Sequence, residues 1–474
     1  MAEVREQKQR AEYRQQWHAC FDQWLDALET HRKDPKPTLE DLTHAVWECR
    51  QELTGQLTAT LLEQRFAAAQ AQRQAPCPQC GRPVAARAVP TRTVETRVGK
   101  VEVARPYFYC GPCGHGVAPL EAVVGLAAGR KQCALHRAAA KRAAAVPYET
   151  AREVVAALTG RALGTERLHT VTKAVAEGLS GWEVAPPRQE RAAQIAAVAA
   201  GKRRRPILVL ALDGAYGPRR PESARGSRPG RKKQRAQRAR WPGEGHEATG
   251  FRCSLVAGDR SVHLLSGHQV QSQEELFAAL APVKAAGLIP EEQVRLCVIA
   301  AGAAWIWPRL TQLFPSARQL LDYYHCAQYL HRVAARQYSE ESAQAQEWAA
   351  ALRVRLCVGE VARVLRDRQH LPPTSAAAAA ALANLQEYLA THRQRLPTGS
   401  HRRGGSPVGS GGLEAAHKFI AQVRRKRSGA GWYQTHSNHM LALRCAKYTG
   451  TYERVLGRYR QRMLTKSQQK HLKK

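Results

Sequence analysis

The tightest constraint on the fold is a short apolar run that ends in a charge. Pro206 through Leu212 are seven consecutive apolar residues, and Asp213 and Gly214 follow at once. A run this short and uniform fits a strand covered on both faces rather than a half-exposed one. An Asp at the C-terminal tip of such a strand stands at the rim of the sheet, where an ion or ligand can reach it. Asp-Gly is also common turn chemistry, so Asp213 has a plainer reading as the start of a turn.

The order of elements downstream weighs against the turn. Glu247–Val256 and Ser261–Ser266 read as strands joined at Gly258 and Asp259, and Ser272 with Glu275 forms a capping box for a helix. Val294–Ala300 is a second buried run, Trp305–Phe314 a helix, and Ala317–Leu321 a strand ending at Asp322. Three strands, helix, strand, helix, strand is the order expected of a ribonuclease-H-like α/β core. In that fold the tips of the first and fourth strands are neighbours, and each supplies an Asp. Helical, Ala- and Arg-rich sequence over 326–404 interrupts this core before Gly409–Lys418 opens a new helix carrying Glu414.

Composition bears on partners. Across 474 residues, 73 Lys plus Arg face 39 Asp plus Glu, a net charge of +34. That imbalance points to a polyanion, with binding that weakens as salt rises. No apolar run approaches the length of a membrane span and no signal peptide opens the chain, so the expectation is a cytoplasmic protein without a membrane partner. Ten Lys or Arg against two Glu fall within 218–244, mixed with Gly, Pro and Ser. A solvated loop is the bland account of that segment, and phosphate contact through Arg219, Arg220, Arg231, Lys232, Lys233 and Arg235 the sharper one.

Four of the twelve cysteines are paired, as Cys77-Pro-Gln-Cys80 and Cys110-Gly-Pro-Cys113, 29 residues apart. Thr91–Arg97 and Lys100–Tyr109 alternate like strands between them, with Gly99 at the turn. Two thiol knuckles on a hairpin supply the tetrahedral set that a structural zinc prefers. A redox Cys-x-x-Cys accounts for one pair and leaves the second without a task. His115 reads as a neighbour of this set, not a ligand. Before it, Trp17, Phe21, Trp24, Leu25 and Leu28 form a stripe at helical spacing, and Thr38 with Asp41 caps a second helix to about Gln72, a helical hairpin or dimerising arm. After it, Tyr148–Thr159, Gly160 and a helix from Thr165 trace a helix-turn-helix or simply packed helices. Basic neighbours Arg130, Lys131, Arg137, Lys141 and Arg142 favour DNA. The eight basic residues of 454–474, with no acidic one, are expected to stay disordered until they meet nucleic acid.

The chain resembles the DDE transposases of bacterial insertion sequences, in particular the Kra-type group allied to the Mutator-like lineage. The resemblance rests on Leu212-Asp213-Gly214, Gly302 through Trp307, Leu313-Phe314-Pro315, Leu321-Asp322 with His325, Val408-Gly409-Ser410 with Glu414, and Lys426-Arg427-Ser428-Gly429 with Trp432. It covers roughly 75–450. Together with the residue patterns above, it divides the chain into an N-terminal helical arm at 1–74, a zinc ribbon at 75–119, a helical or helix-turn-helix DNA-binding domain at 120–185 and a linker at 186–205. The ribonuclease-H-like core follows as 206–325 and 405–450, split by the 326–404 insertion, with a basic tail at 451–474. By position Asp213 matches the first catalytic carboxylate and Glu414 the third, while Asp322 and His325 match an accessory Asp-x-x-His pair. A core salt bridge is the plainer account of that pair.

The second catalytic carboxylate should directly precede Gly302, where this chain has Ala301. Chemistry of this class uses two Mg²⁺ or Mn²⁺ ions held by three carboxylates. With Ala at 301 the expectation is lost strand cleavage and transfer, with DNA binding kept through the 218–244 residues and Arg424, Arg425, Lys426, Arg427 and Trp432. The implied partners are double-stranded DNA, as terminal inverted repeats and target, and further copies of the chain in a homodimer or larger synaptic assembly at the bacterial nucleoid. A repurposed, non-catalytic DNA-binding protein and a structure-selective nuclease on the same core are the alternatives.

Overall fold

The computed structural model describes residues 2–31, 36–179, 183–220, 244–339, 342–369, 371–396, 401, 403–407, 409–427 and 431–472. The chain is a mixed α/β protein that divides into two compact units, Met1–Val175 with Glu453–Lys474, and Ala176–Tyr452.

The first unit opens with helices Ala2–His31 and Leu39–Gln70. Thr38 and Asp41 form the expected capping box, each side chain taking up a backbone N–H at the start of the second helix. Six short strands follow: β1 Gln74–Pro76, β2 Pro83–Ala88, β3 Thr91–Glu95, β4 Lys100–Ala104, β5 Tyr107–Cys110 and β6 His115–Val117. They form a β1-β2-β5-β6 sheet and a β3-β4 hairpin. Val94, Val101 and Val103 point inward from that hairpin and pack with Leu120 and Leu126. The second helix approaches the hairpin so closely that a Cβ at Gly55 would collide with the Lys100 carbonyl oxygen. Helices Tyr148–Thr159 and Thr165–Ala176 flank Gly160, whose φ of 57° supplies the left-handed turn.

The basic tail differs from the sequence expectation of disorder: Tyr452–Leu472 is a helix. Its Val455, Leu456 and Tyr459 are buried, and the Tyr459 hydroxyl lies 2.9 Å from His136 Nδ1. An apolar stripe at helical spacing inside a basic sequence is enough to fold it. Glu453 at its start pairs with Arg137 and Lys141, so those two cations are engaged within the unit.

The second unit is built on a five-stranded sheet: β7 Ile207–Arg219, β8 Glu244–Ala257, β9 Arg260–Val270, β10 Arg295–Ala300 and β11 Arg318–Leu321, in the order β11-β10-β7-β8-β9. β10 runs parallel to β7 and to β11, while β8 is antiparallel to both of its neighbours. Ile207 through Leu212 and Leu296 through Ala300 are all buried, as continuous apolar runs require of strands covered on both faces. β8 and β9 extend beyond their expected ends to make a long hairpin, and helix Gln434–Thr449 packs on β9. Helices Tyr323–Tyr338, Ala343–Val358, Val361–Gln369 and Ala376–Thr391 fill the interval before the helix Gly411–His417. Among the described residues no helix is long and apolar enough to cross a membrane.

Candidate functional site

The parallel pairing of β7, β10 and β11 stops at one level, but β7 runs on against β8 to Arg219, so Asp213 lies within the strand, opposite Gly250, and not at its tip as expected. Leu212 of β7 is in register with Ala300 of β10, and Ala300 with Leu321 of β11. The residues that follow the last parallel pairs therefore stand in one row where β10 and β11 end beside β7: Asp213, Ala301, Asp322. The methyl group of Ala301 occupies the middle of that row. Glu414 is delivered from elsewhere, on helix Gly411–His417, which packs over β7 and β8. Asp213, Glu414 and His325 line one cleft of about 500 Å³ together with His331, Arg353 and Lys426.

Asp322 is 1% exposed and fully engaged. One of its oxygens accepts from the Ser410 hydroxyl at 2.8 Å and from His325 Nδ1 at 2.7 Å; the other accepts from the Ser410 N–H at 2.8 Å and the Tyr324 N–H at 3.3 Å. Burial alone would raise its carboxyl, but the bonds from His325 and Ser410 prevail and hold it below the ordinary Asp value. These bonds tie the start of the glutamate helix to the end of β11. The approach is close: a Cβ at Gly409 would lie 2.9 Å from the Tyr324 ring.

His325 spans the row. Its Nδ1 is committed to Asp322 and its Nε2 lies 3.7 Å from Asp213 Oδ1. Burial works against its charge, but the bond to Asp322 and the negative charge of Asp213 outweigh it and raise the imidazole above its usual value. Asp213 is itself raised, chiefly by burial, with the charges of Asp322 and Glu414 adding and His325 opposing. Glu247, whose carboxylate lies against Gly214, is raised by burial and by Asp213.

This arrangement tests the expected pair of Mg²⁺ ions. Every carboxylate oxygen of Asp322 is already hydrogen-bonded, and position 301 offers no oxygen. Asp213 and Glu414 remain as the carboxylates of the matched set that face the cleft. Hard divalent ions demand six or more oxygens each, and two carboxylates do not provide a scaffold for a pair. The residues present do not fit the two-ion group.

The four paired thiols of the first unit behave differently. Cys77, Cys80, Cys110 and Cys113 place their sulfurs within 4.8 Å of one another, and this four-cysteine cluster can chelate a metal ion. Cys80 and Cys110 are 3.8 Å apart, matching the roughly 3.8 Å edge of a tetrahedron with metal–sulfur bonds of about 2.3 Å. The knuckles turn at Gly81 and Gly114, both with positive φ. Backbone N–H groups of Cys80 and Gln79 draw the Cys77 thiol down to about 6, while contact with Cys80 pushes Cys113 up to about 12. His115 stands outside the set and bonds the Cys113 carbonyl.

Both places fall within a single family match. Residues 37–462 match the family model of UPF0236, an uncharacterised protein family. The chain belongs to UPF0236. No curated protein matches it.

Of the basic residues singled out in this UPF0236 chain, Arg231, Lys232, Lys233 and Arg235 lie outside the described residues, as does the side chain of Arg219. The Arg220 N–H donates to the Trp432 carbonyl at 2.9 Å, pairing the end of β7 with that segment. Arg424 and Arg425 correct the expectation of a DNA-facing run, because both are buried, and Trp432 with them. The Arg424 guanidinium stacks 5.2 Å over the Trp432 ring, and burial lowers Arg425 to about 10. Lys426 and Arg427 are the exposed members.

Several residues of the site carried no signal strong enough to be singled out. Arg353 and His331 come from the inserted helices, and Tyr388 and His392 brace the loop after Ala301, His392 Nε2 lying 3.0 Å from the Gly302 carbonyl oxygen. His417 sits one turn beyond Glu414, is 2% exposed, and has no hydrogen-bond partner on either ring nitrogen among the described residues. Its i, i+3 spacing from Glu414 was the readable clue, since such pairs share a helix face.

Proposed function

We propose that this chain is a DNA-binding protein of the DDE transposase type, with a ribonuclease-H-like core, whose strand-cleaving chemistry is disabled at Ala301. It binds terminal inverted repeats and target DNA through its basic surface, its helix-turn-helix and a zinc ribbon at the four-cysteine cluster. It acts as a homodimer or larger assembly through the N-terminal helices, where Trp17, Phe21, Val46 and Trp47 are exposed. The observation that carries the reading is that Asp213 and Glu414 share one cleft, while position 301 follows the strand residue paired beside Leu212. The strand order supports it: numbered from β7, the sheet runs 3-2-1-4-5 in space, with the second and third strands of the chain forming the antiparallel side. Arg353 and Lys426 beside the carboxylates suit a phosphodiester that must be held close to anionic groups. A metal pair would supply the cutting chemistry in a complete site; the donors present hold none, so binding persists and cleavage does not.

A second reading is a repurposed binder in which Ala301 belongs to the working protein. His325 favours it, because that imidazole already links Asp322 to Asp213 across the row. One experiment separates these readings: the chain and its Ala301→Asp form are incubated with Mg²⁺ or Mn²⁺ on the inverted-repeat ends flanking its own coding sequence, on branched DNA and on random duplex. Joining of repeat ends by the Asp form alone supports the transposase. Binding without reaction in both forms supports the repurposed binder. Cutting confined to branched DNA identifies a nuclease instead, and no preference for any DNA overturns all three.

A further inference from the structure

Beside the Asp213 cleft is a second cavity, of about 380 Å³, lying between β7, β8, the β8–β9 turn and the segment that leads into the glutamate helix. Ser410 lines both cavities. Two guanidiniums, Arg252 and Arg260, face the second one together with the hydroxyls of Ser254 and Ser261, against a single carboxylate, Asp259. Arg252 is half-buried. It donates to Ser254 Oγ at 3.3 Å and Ser261 Oγ at 3.5 Å, both long, and its enclosed Nε–H has no partner among the described residues. Among the described residues neither guanidinium forms an ion pair. Because the two serines accept from Arg252, their own protons remain to be donated. Gly412 makes room for the arrangement, since a Cβ there would collide with Arg252 Nη1.

A partly buried guanidinium held only by long bonds to hydroxyls is short of acceptors, and unsatisfied buried donors are costly. The ligand that corrects this is a tetrahedral oxyanion, with several acceptor oxygens and a charge to match two arginines. We propose that this cavity binds one backbone phosphate of the nucleic-acid strand that crosses the Asp213 cleft, a neighbour of the phosphate held there. The shared wall at Ser410 makes the two phosphates parts of one strand's path. Arg252 then acts as a positioning residue, locking the strand against the start of the Glu414 helix. The inference rests on the DNA-binding reading above and adds to it a specific contact.

The test uses the full chain on labelled duplex carrying its bound sequence. Arg252→Gln and Arg260→Gln should each reduce the slope of log affinity against log salt by about 0.9, the value for one lost phosphate contact. Phosphate ethylation interference should show one position that blocks binding by the unaltered chain and ceases to matter in Arg252→Gln. Arg252→Lys should keep the slope while losing affinity several-fold, since a point charge replaces a fork. Should Arg252→Gln fail to fold, the exposed Arg260→Gln carries the experiment. Binding with an unchanged slope and an unchanged interference pattern overturns this proposal alone. Absence of any DNA binding by the unaltered chain overturns it together with the reading beneath it.

Discussion

The four-cysteine cluster and the row where β10 and β11 end beside β7 are both assembled from distant segments, but only one has a full set of ligands. The four thiols approach the geometry of a tetrahedral metal site with no other group needed. The row offers no side-chain oxygen at position 301 and is held instead by hydrogen bonds that Asp322 accepts from Ser410 and His325, with His325 Nε2 3.7 Å from Asp213. The contrast is between a place defined by a full set of like ligands and one defined by the hydrogen bonds around a single buried carboxylate.

The largest effect expected from this contrast lies at the thiols. A structural metal in a small β unit contributes its binding free energy to folding, about 10 kcal/mol or more in small zinc domains. Metal analysis of protein purified without chelator should find about one zinc per chain. Cys77→Ser should release it and open residues 75–117 to proteolysis while the sheet unit resists. Metal-free protein with the same protease resistance would erase the difference between the two sites.

Next in size is the response to acid. In the sheet unit His263 and His417 are lowered to about 4, and His268 is held well below its ordinary value, by burial first and nearby positive charge second. A depressed histidine contributes stability that is fully present above its unfolded value of about 6.5 and is lost as pH falls toward the folded value. Each of His263 and His417 accounts for about 3 kcal/mol at most over that window. Denaturant midpoints of the sheet unit should therefore drop steeply between pH 7 and 5, and His417→Gln should flatten part of the drop. A midpoint indifferent to pH across that range would mean the imidazoles are protonated or hydrated in place.

Asp322 comes third. Removing one partner of a buried, hydrogen-bonded ion pair costs about 3–5 kcal/mol. Asp322→Ala should approach that figure in equilibrium unfolding, because it strands His325 and frees the start of the Glu414 helix. A loss below about 1 kcal/mol would show that the hydrogen bonds of Asp322 are not what keeps the row in shape.

These elements were legible in the sequence to different degrees, for physical reasons. Asp213 was found because a fully buried strand writes itself as an unbroken apolar run, and the thiols because knuckle spacing is local. The two capping boxes, Thr38 with Asp41 and Ser272 with Glu275, were also local and form as read. Asp322 and His325 were visible as a pair, but the bond to Ser410, 88 residues away, was not, since no local pattern encodes a contact across an insertion. Arg424 and Arg425 misled because a run of four basic residues reads as a solvated face. In the fold one side of that run turns inward onto Trp432 and Gly217. The C-terminal helix misled in the same way, its charge outweighing three apolar positions that proved sufficient to dock it.

The smallest effect is the most specific. The Ser410 side chain gives Asp322 a single hydrogen bond, and bonds to a charged acceptor contribute about 1.5–3 kcal/mol. Ser410→Ala removes that bond while leaving the Ser410 N–H bond to the same carboxylate, so a loss of about 2 kcal/mol is expected. Ser406 supplies the control: it is equally buried in the same segment, but among the described residues its hydroxyl only accepts from Arg318 at a long 3.4 Å. Ser406→Ala should therefore cost well under half as much. Were the two substitutions equal, the hydroxyl at 410 would be ordinary packing, and the tether between the end of β11 and the Glu414 helix would rest on backbone alone. If Ser410→Ala is the costlier, the same substitution should also loosen the helix in hydrogen exchange at Leu413 and Glu414. The thiol cluster, built on separate strands, should show no change in either variant.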